Sequence, residues 1–298
     1  MRLIIKFNLI LLLTVAAFTA HAEMTAGEVC QKIAGKLASV SLRECNNQNF
    51  VLSGGKSINN LPILIKTYPP LATRKPLGKV LMIGGIHGDE YSSVSVVFKW
   101  MNTLNQYHSG MFHWRIAPLM NPDGLLQESS QRMNANGVDL NRNFPSPDWE
   151  DEALKHWVER TGENERRYPG SGPASEPETQ WLVNEIKEFQ PDVIVAIHAP
   201  YGVVDYDGPH DAPHKLGRLH LELLGTYPGS LGRYAGIELE TPLVTIELPY
   251  AGIMPTPAEI NDIWLDLVRW LRENMTQQAA GIRQIQQIKQ ANEYDDTH

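Results

Sequence analysis

The sequence predicts an α/β fold, a mostly parallel mixed β-sheet covered by helices on both faces. Three observations carry this. Compact apolar runs at 79–85, 192–197 and 243–248 have the length and continuity of strands buried on both faces. Helix-like segments alternate with them, at 92–104, up to Phe189 and at 257–274, which is the pattern of strands joined by helical crossovers. Finally, His87, His198 and Glu247 sit at or near the ends of those runs, the edge of such a sheet where sites form.

The chain opens with Arg2 and Lys6, an apolar run at 7–18 and the small-x-small triplet Ala20-His21-Ala22. That is the form of a secretory signal over residues 1–22, and it implies export. The run falls short of the roughly 20 residues a membrane span needs, although an uncleaved anchor is the alternative reading. Removing 1–22 takes away two cations and no acid, moving the net charge from −8 to −10. An acidic mature chain argues against nucleic acid and anionic lipid as main partners. Without the signal, no stretch is apolar enough to make a membrane a partner.

Residues 23–60 read as a small N-terminal segment with a helix at 26–40 and irregular chain beyond. Cys30 and Cys45, the only cysteines, are expected to pair in an exported protein. Residues 61–275 read as the main domain. An edge strand at 61–67 leads through Pro69-Pro70 and Pro76 to the buried strand 79–85, which delivers His87-Gly-Asp-Glu90 to the helix 92–104. A strand at 113–119 runs into the turn Asn121-Pro-Asp-Gly124. Residues 125–167 lack periodicity and read as loop, with a helix near 152–159. Ser175-Glu-Pro-Glu178 has the capping-box form and starts a helix to Phe189. Strands 192–197 and 243–248 and the helix 257–274 complete the domain. A polar, Gln-rich tail, 276–298, follows.

Four separated stretches carry chemistry. His87 and Glu90, three apart at a strand-to-helix turn, can reach one ion, and His198 completes a ligand set suited to catalytic zinc with one position open. Taken alone, each has a bland reading: a surface histidine, a first-turn glutamate, a packed core histidine. Asp139 can orient a ligating imidazole or cap a turn. Arg142 and Asn141 suit a bidentate grip on a carboxylate. Arg132, in a polar loop, reads by itself as solvated. Glu247 interrupts an apolar strand, which is costly unless it faces a cavity, a partner or a metal, and it is a candidate proton acceptor. Tyr227 lies in a Gly/Pro-rich loop that can swing over a substrate.

His-x-x-Glu, Asn-Pro-Asp-Gly, Gly137-Val-Asp-Leu-Asn-Arg-Asn-Phe144, Ser175-Glu-Pro-Glu178, His198 and Thr245-Ile-Glu247 together resemble the M14 zinc carboxypeptidases. The stretches 132–145 and 168–178 are similar to those of the bacterial murein peptide amidases, which cleave the γ-D-glutamyl–meso-diaminopimelate bond of peptidoglycan peptides. The resemblance implies a zinc carboxypeptidase-like fold and one Zn2+ held by His87, Glu90 and His198. It makes Glu247 the general base, Arg132 the oxyanion-side cation, and Asn141 and Arg142 the grip on the terminal carboxylate. Asp139 becomes the partner of the first histidine, and Tyr227 the mobile tyrosine. With the export signal, it implies peptidoglycan stem peptides in the periplasm as substrate. Asp205 and Asp207, just past His198, are candidates to meet the second ammonium of diaminopimelate. A deacylase of N-acyl amino acids such as N-succinylglutamate, a carboxypeptidase of ordinary L-peptides and a non-catalytic peptidoglycan-binding protein are the competing readings. Oligomeric state has no signature in the sequence.

Overall fold

The computed structural model describes residues 24–295, with side chains up to Thr276. The signal segment expected at 1–22 lies outside the described residues. Helix α1 (Ala26–Lys36) opens with a capping box in which Thr25 and Glu28 satisfy each other's backbone N–H. Ser41 caps a second short helix, α2 (Leu42–Asn46). The helix expected at 26–40 therefore ends at Lys36, and α2 forms in chain expected to be irregular, because the chain turns back at Leu37 and brings Cys45 to Cys30. The disulfide joins them with Cα atoms 5.5 Å apart. Val29, Ile33 and both half-cystines pack on Leu64, Phe98, Leu119 and Leu125, so this segment shares a core with the sheet.

Strand β1 (Val51–Lys56) pairs antiparallel with β2 (Pro62–Tyr68), so the strand expected at the edge is internal. The sequence hides β1 because Ser53-Gly54-Gly55 breaks its alternation. Gly55 is required there: a Cβ would stand 2.3 Å from the Trp181 ring. Next come β3 (Gly78–Gly84), α3 (Tyr91–Tyr107), β4 (Phe112–Ala117) and α4 (Pro122–Leu126), the last capped by Asn121. A long irregular stretch follows, with one tight turn at Leu140–Arg142 and a wide turn at Trp149–Ala153 that runs into α5 (Leu154–Thr161).

Helix α6 (Pro177–Phe189) starts after Glu176, which makes no side-chain cap. The capping box expected at Ser175 does not form. The Ser175 hydroxyl donates to Glu176 instead, while Glu176 and Glu178 both accept from the Asn134 amide. The rest of the chain supplies β5 (Val193–His198), β6 (Val204–Asp207), a two-strand ribbon of β7 (Lys215–Leu216) and β8 (Leu219–His220), a wide turn at Gly232–Glu238, β9 (Leu243–Glu247) and α7 (Pro257–Asp295). The backbone of α7 continues through most of the tail beyond 274.

The seven-stranded sheet has the order β1-β2-β4-β3-β5-β9-β6. Its centre, β4-β3-β5-β9, is parallel, and antiparallel strands flank it on both sides. Successive residues alternate between two cores. Val80, Met82, Val193, Val195 and Ile197 pack with Trp100 of α3 and Trp264, Leu267 and Leu271 of α7. Leu81, Ile83, Ile194 and Ala196 pack with Leu182, Ile186 and Phe189 of α6. The helices thus cover both faces, as the apolar runs predict. On β9 and β6 the residues turned away from the α7 core are Leu243, Thr245, Glu247, Asp205 and Asp207, and there the second face opens into a cavity. Among the described residues no helix is long and apolar enough to cross a membrane.

Candidate active site

The turn after β3 is shaped by hydrogen bonds within eight residues. The Ser93 hydroxyl accepts from Gly85 N and donates to the Glu90 carbonyl, which folds His87 and Glu90 onto one side. Gly88 serves a close approach of backbones: a Cβ there would stand 2.1 Å from the Gly124 carbonyl carbon. That approach lets Gly88 N donate to the Arg132 carbonyl, which also accepts from the Asn121 side chain. The loop carrying Arg132 is thereby fastened to the loop carrying His87.

His87 Nδ1 lies 2.7 Å from one Glu90 oxygen, and His198 Nδ1 lies 3.2 Å from the other. All three side chains are buried, and one ligand atom from each falls within 4.8 Å of the others. Burial pushes the Glu90 carboxyl up, but His87 and His198 outweigh it and hold it well below the usual carboxylate range. Burial opposes charge on His198, yet Glu90 and then Glu247 raise its pKa. Two imidazole nitrogens and a carboxylate, all buried and converging, are a donor set that fits zinc. The outer nitrogen of His87 is already engaged, 3.0 Å from Asp139 Oδ1, as expected for a ligand held in one orientation.

Asp139 is fully buried and does more than orient His87. Its second oxygen accepts from Arg132 Nε at 2.9 Å, and its first also accepts from Asn141 N. Burial raises this carboxyl, and Arg132 followed by His87 reverses the shift and holds it far down. Arg132 also lies 3.6 Å from Glu90. Glu247 stands beside His198 in the β5–β9 register and accepts, at 3.5 Å, from Tyr201 N. Burial raises its pKa against the opposing pull of His198, the direction that favours a carboxylate able to accept a proton.

Arg142 is buried, and burial brings its guanidinium down to about 10. It lies 4.3 Å from the centre of the Tyr227 ring and donates to the Asn141 carbonyl. Asn141 Oδ1 accepts from Leu231 N, and Gly229 packs so close that a Cβ would meet the Arg142 carbonyl at 2.0 Å. The Tyr227 loop is therefore docked on Asn141 and Arg142. Every site residue expected from the sequence lines one cavity of about 800 Å³, except Asp139, which sits behind it. Asp205 and Asp207 line it too. Burial, and for Asp207 also the neighbouring Asp205, raises both, Asp207 to about 7. The sequence reading missed one wall, drawn from 156–167, where the absence of periodicity concealed it.

The zinc carboxypeptidase family, Peptidase M14, matches residues 41–215. The chain is 30% identical over 223 residues to murein peptide amidase A of Escherichia coli (strain K12), across 72% of this chain and 88% of that protein. It is 30% identical over 204 residues to murein peptide amidase A of Vibrio campbellii, across 66% and 78%. Among solved structures, murein-tripeptide amidase MpaA from Escherichia coli O157 matches with a TM-score of 0.54 at 27% identity, covering 75% of this chain and 91% of that one. Bovine thrombin-activatable fibrinolysis inhibitor, solved in complex with tick carboxypeptidase inhibitor, matches with a TM-score of 0.59 at 16% identity, covering 87% and 98%, a likeness of fold.

Proposed function

This chain belongs to the M14 zinc carboxypeptidases, and on that premise we propose that it is an exported, zinc-dependent peptidase acting in the periplasm on peptidoglycan stem peptides. The bond it hydrolyses is the γ-D-glutamyl–meso-diaminopimelate amide. One observation carries the reading. A single cavity joins the His87, Glu90 and His198 donors, the buried Glu247, the Arg142 grip and the acidic pair Asp205 and Asp207. Diaminopimelate offers a partner to the last two parts: a terminal carboxylate for Arg142 and Asn141, and a second ammonium for the acidic pair. The likeness to the murein peptide amidases and the signal-like N-terminus support the substrate and the compartment.

His87, Glu90 and His198 would hold the zinc, which when bound supplies a Lewis acid that polarises the amide carbonyl and acidifies water. Glu247 takes a proton from the attacking water as its oxygen bonds to the carbonyl carbon. Arg132 steadies the negative charge that gathers on the carbonyl oxygen. As the C–N bond breaks, Glu247 passes the proton to the leaving nitrogen, so one water supplies both the new acid and the new amine. Asn141 and Arg142 fix the leaving amino acid by its terminal carboxylate, and Tyr227 closes over that end.

Mass spectrometry of L-Ala-γ-D-Glu-meso-diaminopimelate incubated with the mature protein tests this. Chelator-sensitive release of diaminopimelate is expected, and Glu247→Gln should lower kcat by about 100-fold or more with zinc content unchanged. No release from zinc-loaded protein, with hydrolysis of N-succinylglutamate instead, would move the assignment to a deacylase.

A further inference from the structure

The stretch 148–167 carries seven acidic side chains against three arginines, one lysine and one histidine. The cavity sorts them by sign. Arg160, Arg166, Arg167 and His156 all line it, and none of the seven acids does. Glu159 adjoins Arg160 and Glu165 adjoins Arg166 in sequence, so proximity along the chain does not explain the sorting. The wall is also fastened in place. Trp157 Nε1 donates to the Asn164 carbonyl, its ring meets Tyr168 edge-on, and the Tyr168 carbonyl accepts from Asp139 N.

Arg166 is paired, 2.7 Å from Asp89. Arg160 and Arg167 have no ion pair among the described residues. Behind burial, Arg167 adds to the forces that weaken the charge of Arg142, and Arg160 and Arg167 do the same to His156. Gathering uncompensated cations beside a buried arginine is unfavourable until an anion joins them. The terminal carboxylate already has Asn141 and Arg142.

We propose that Arg160 and Arg167 form a second anion subsite, which takes a second carboxylate of the same substrate. The inference rests on the murein reading above. L-Ala-γ-D-Glu-meso-diaminopimelate carries, beside its terminal carboxylate, one on the D-centre of diaminopimelate and the free α-carboxylate of the γ-linked D-Glu. Both present the same chemistry to a pair of guanidinium groups.

The test compares the zinc-loaded enzyme with the double variant Arg160→Gln, Arg167→Gln on three peptides. They are the parent tripeptide, its analogue with D-isoglutamine in place of D-Glu, and its analogue with L-lysine in place of diaminopimelate. On the parent, KM should rise about 10- to 100-fold in the variant, the scale of a charged hydrogen bond, while kcat changes less than about 3-fold. On one analogue, the one lacking the bound carboxylate, the two enzymes should share a KM, and which analogue this is identifies the carboxylate. Unchanged KM on the parent overturns the subsite and leaves the murein reading intact. So does an equal penalty on all three peptides, which would mark a diffuse electrostatic effect. If the unmodified enzyme hydrolyses none of the three, the murein reading falls and takes the subsite with it. Circular dichroism and zinc content establish that the variant is folded and loaded.

Discussion

Replacing Asp207 by asparagine should stabilise the protein, and the gain should depend on pH in one direction. Asp207 lies on β6 with its carboxylate against Gly232, where a Cβ would come within 2.1 Å of it. Burial first, and the neighbouring Asp205 second, raise it from 3.8 to about 7. Below about pH 4 the folded and unfolded chains both hold this proton, and the group is neutral in the balance. Between about 4 and 7 only the folded chain holds it, so stability falls as pH rises, by about 1.4 kcal/mol per unit. Above 7 the loss is complete. Three units give a ceiling of about 4 kcal/mol, and we take about half, since the group faces the cavity rather than close-packed core. Asp207→Asn should therefore be more stable than the parent by about 2 kcal/mol at pH 8, by about two thirds of that near pH 6, and by nothing at pH 4. Urea unfolding of both chains at each pH, with the same zinc present, measures the difference, and the metal's own contribution cancels. Equal stability at pH 8, or a gain undiminished at pH 4, would refute the account of Asp207 as a carboxylate held against its charge.

Two further perturbations separate the parts of the molecule. Asp139→Ala frees the outer nitrogen of His87 and should weaken zinc binding about 10- to 100-fold, read by competition with a chromophoric chelator. Joint replacement of Cys30 and Cys45 by serine opens a loop whose ends are 15 residues apart, and should lower stability by about 3 kcal/mol in thermal or denaturant unfolding while kcat on any substrate is retained.

The parts of the fold legible in the sequence are those whose physics is local. Val80–Ile83 and Val193–Ile197 are apolar without interruption because two different cores claim alternate residues, and an unbroken apolar run signals that on its own. His87, His198 and Glu247 stood out because a polar group at the end of such a run needs a reason. What escaped reading depends on partners distant in sequence. Strand β1 needs Trp181 to explain Gly55. Ser175 looks like a cap until Asn143 and Glu176 are seen to take its hydroxyl. Strand β6 did leave a signal, since Val204 and Tyr206 alternate with Asp205 and Asp207, but four residues next to Gly208 are too short a run to stand out. The helix expected near 152–159 is there as α5, but it has no buried residue, so nothing in its pattern marks it as part of a cavity wall.

The carboxylate of Asp139 holds His87 with one oxygen and Arg132 with the other. One buried carboxylate thus sets the position of two side chains that reach the cavity from different loops. Any displacement of that carboxylate should carry both along, so that the distance between them changes less than either moves alone. An instrument maker mounts two lenses on one rail for the same reason. Precision in this pocket need not come from stillness; a shared mount is enough.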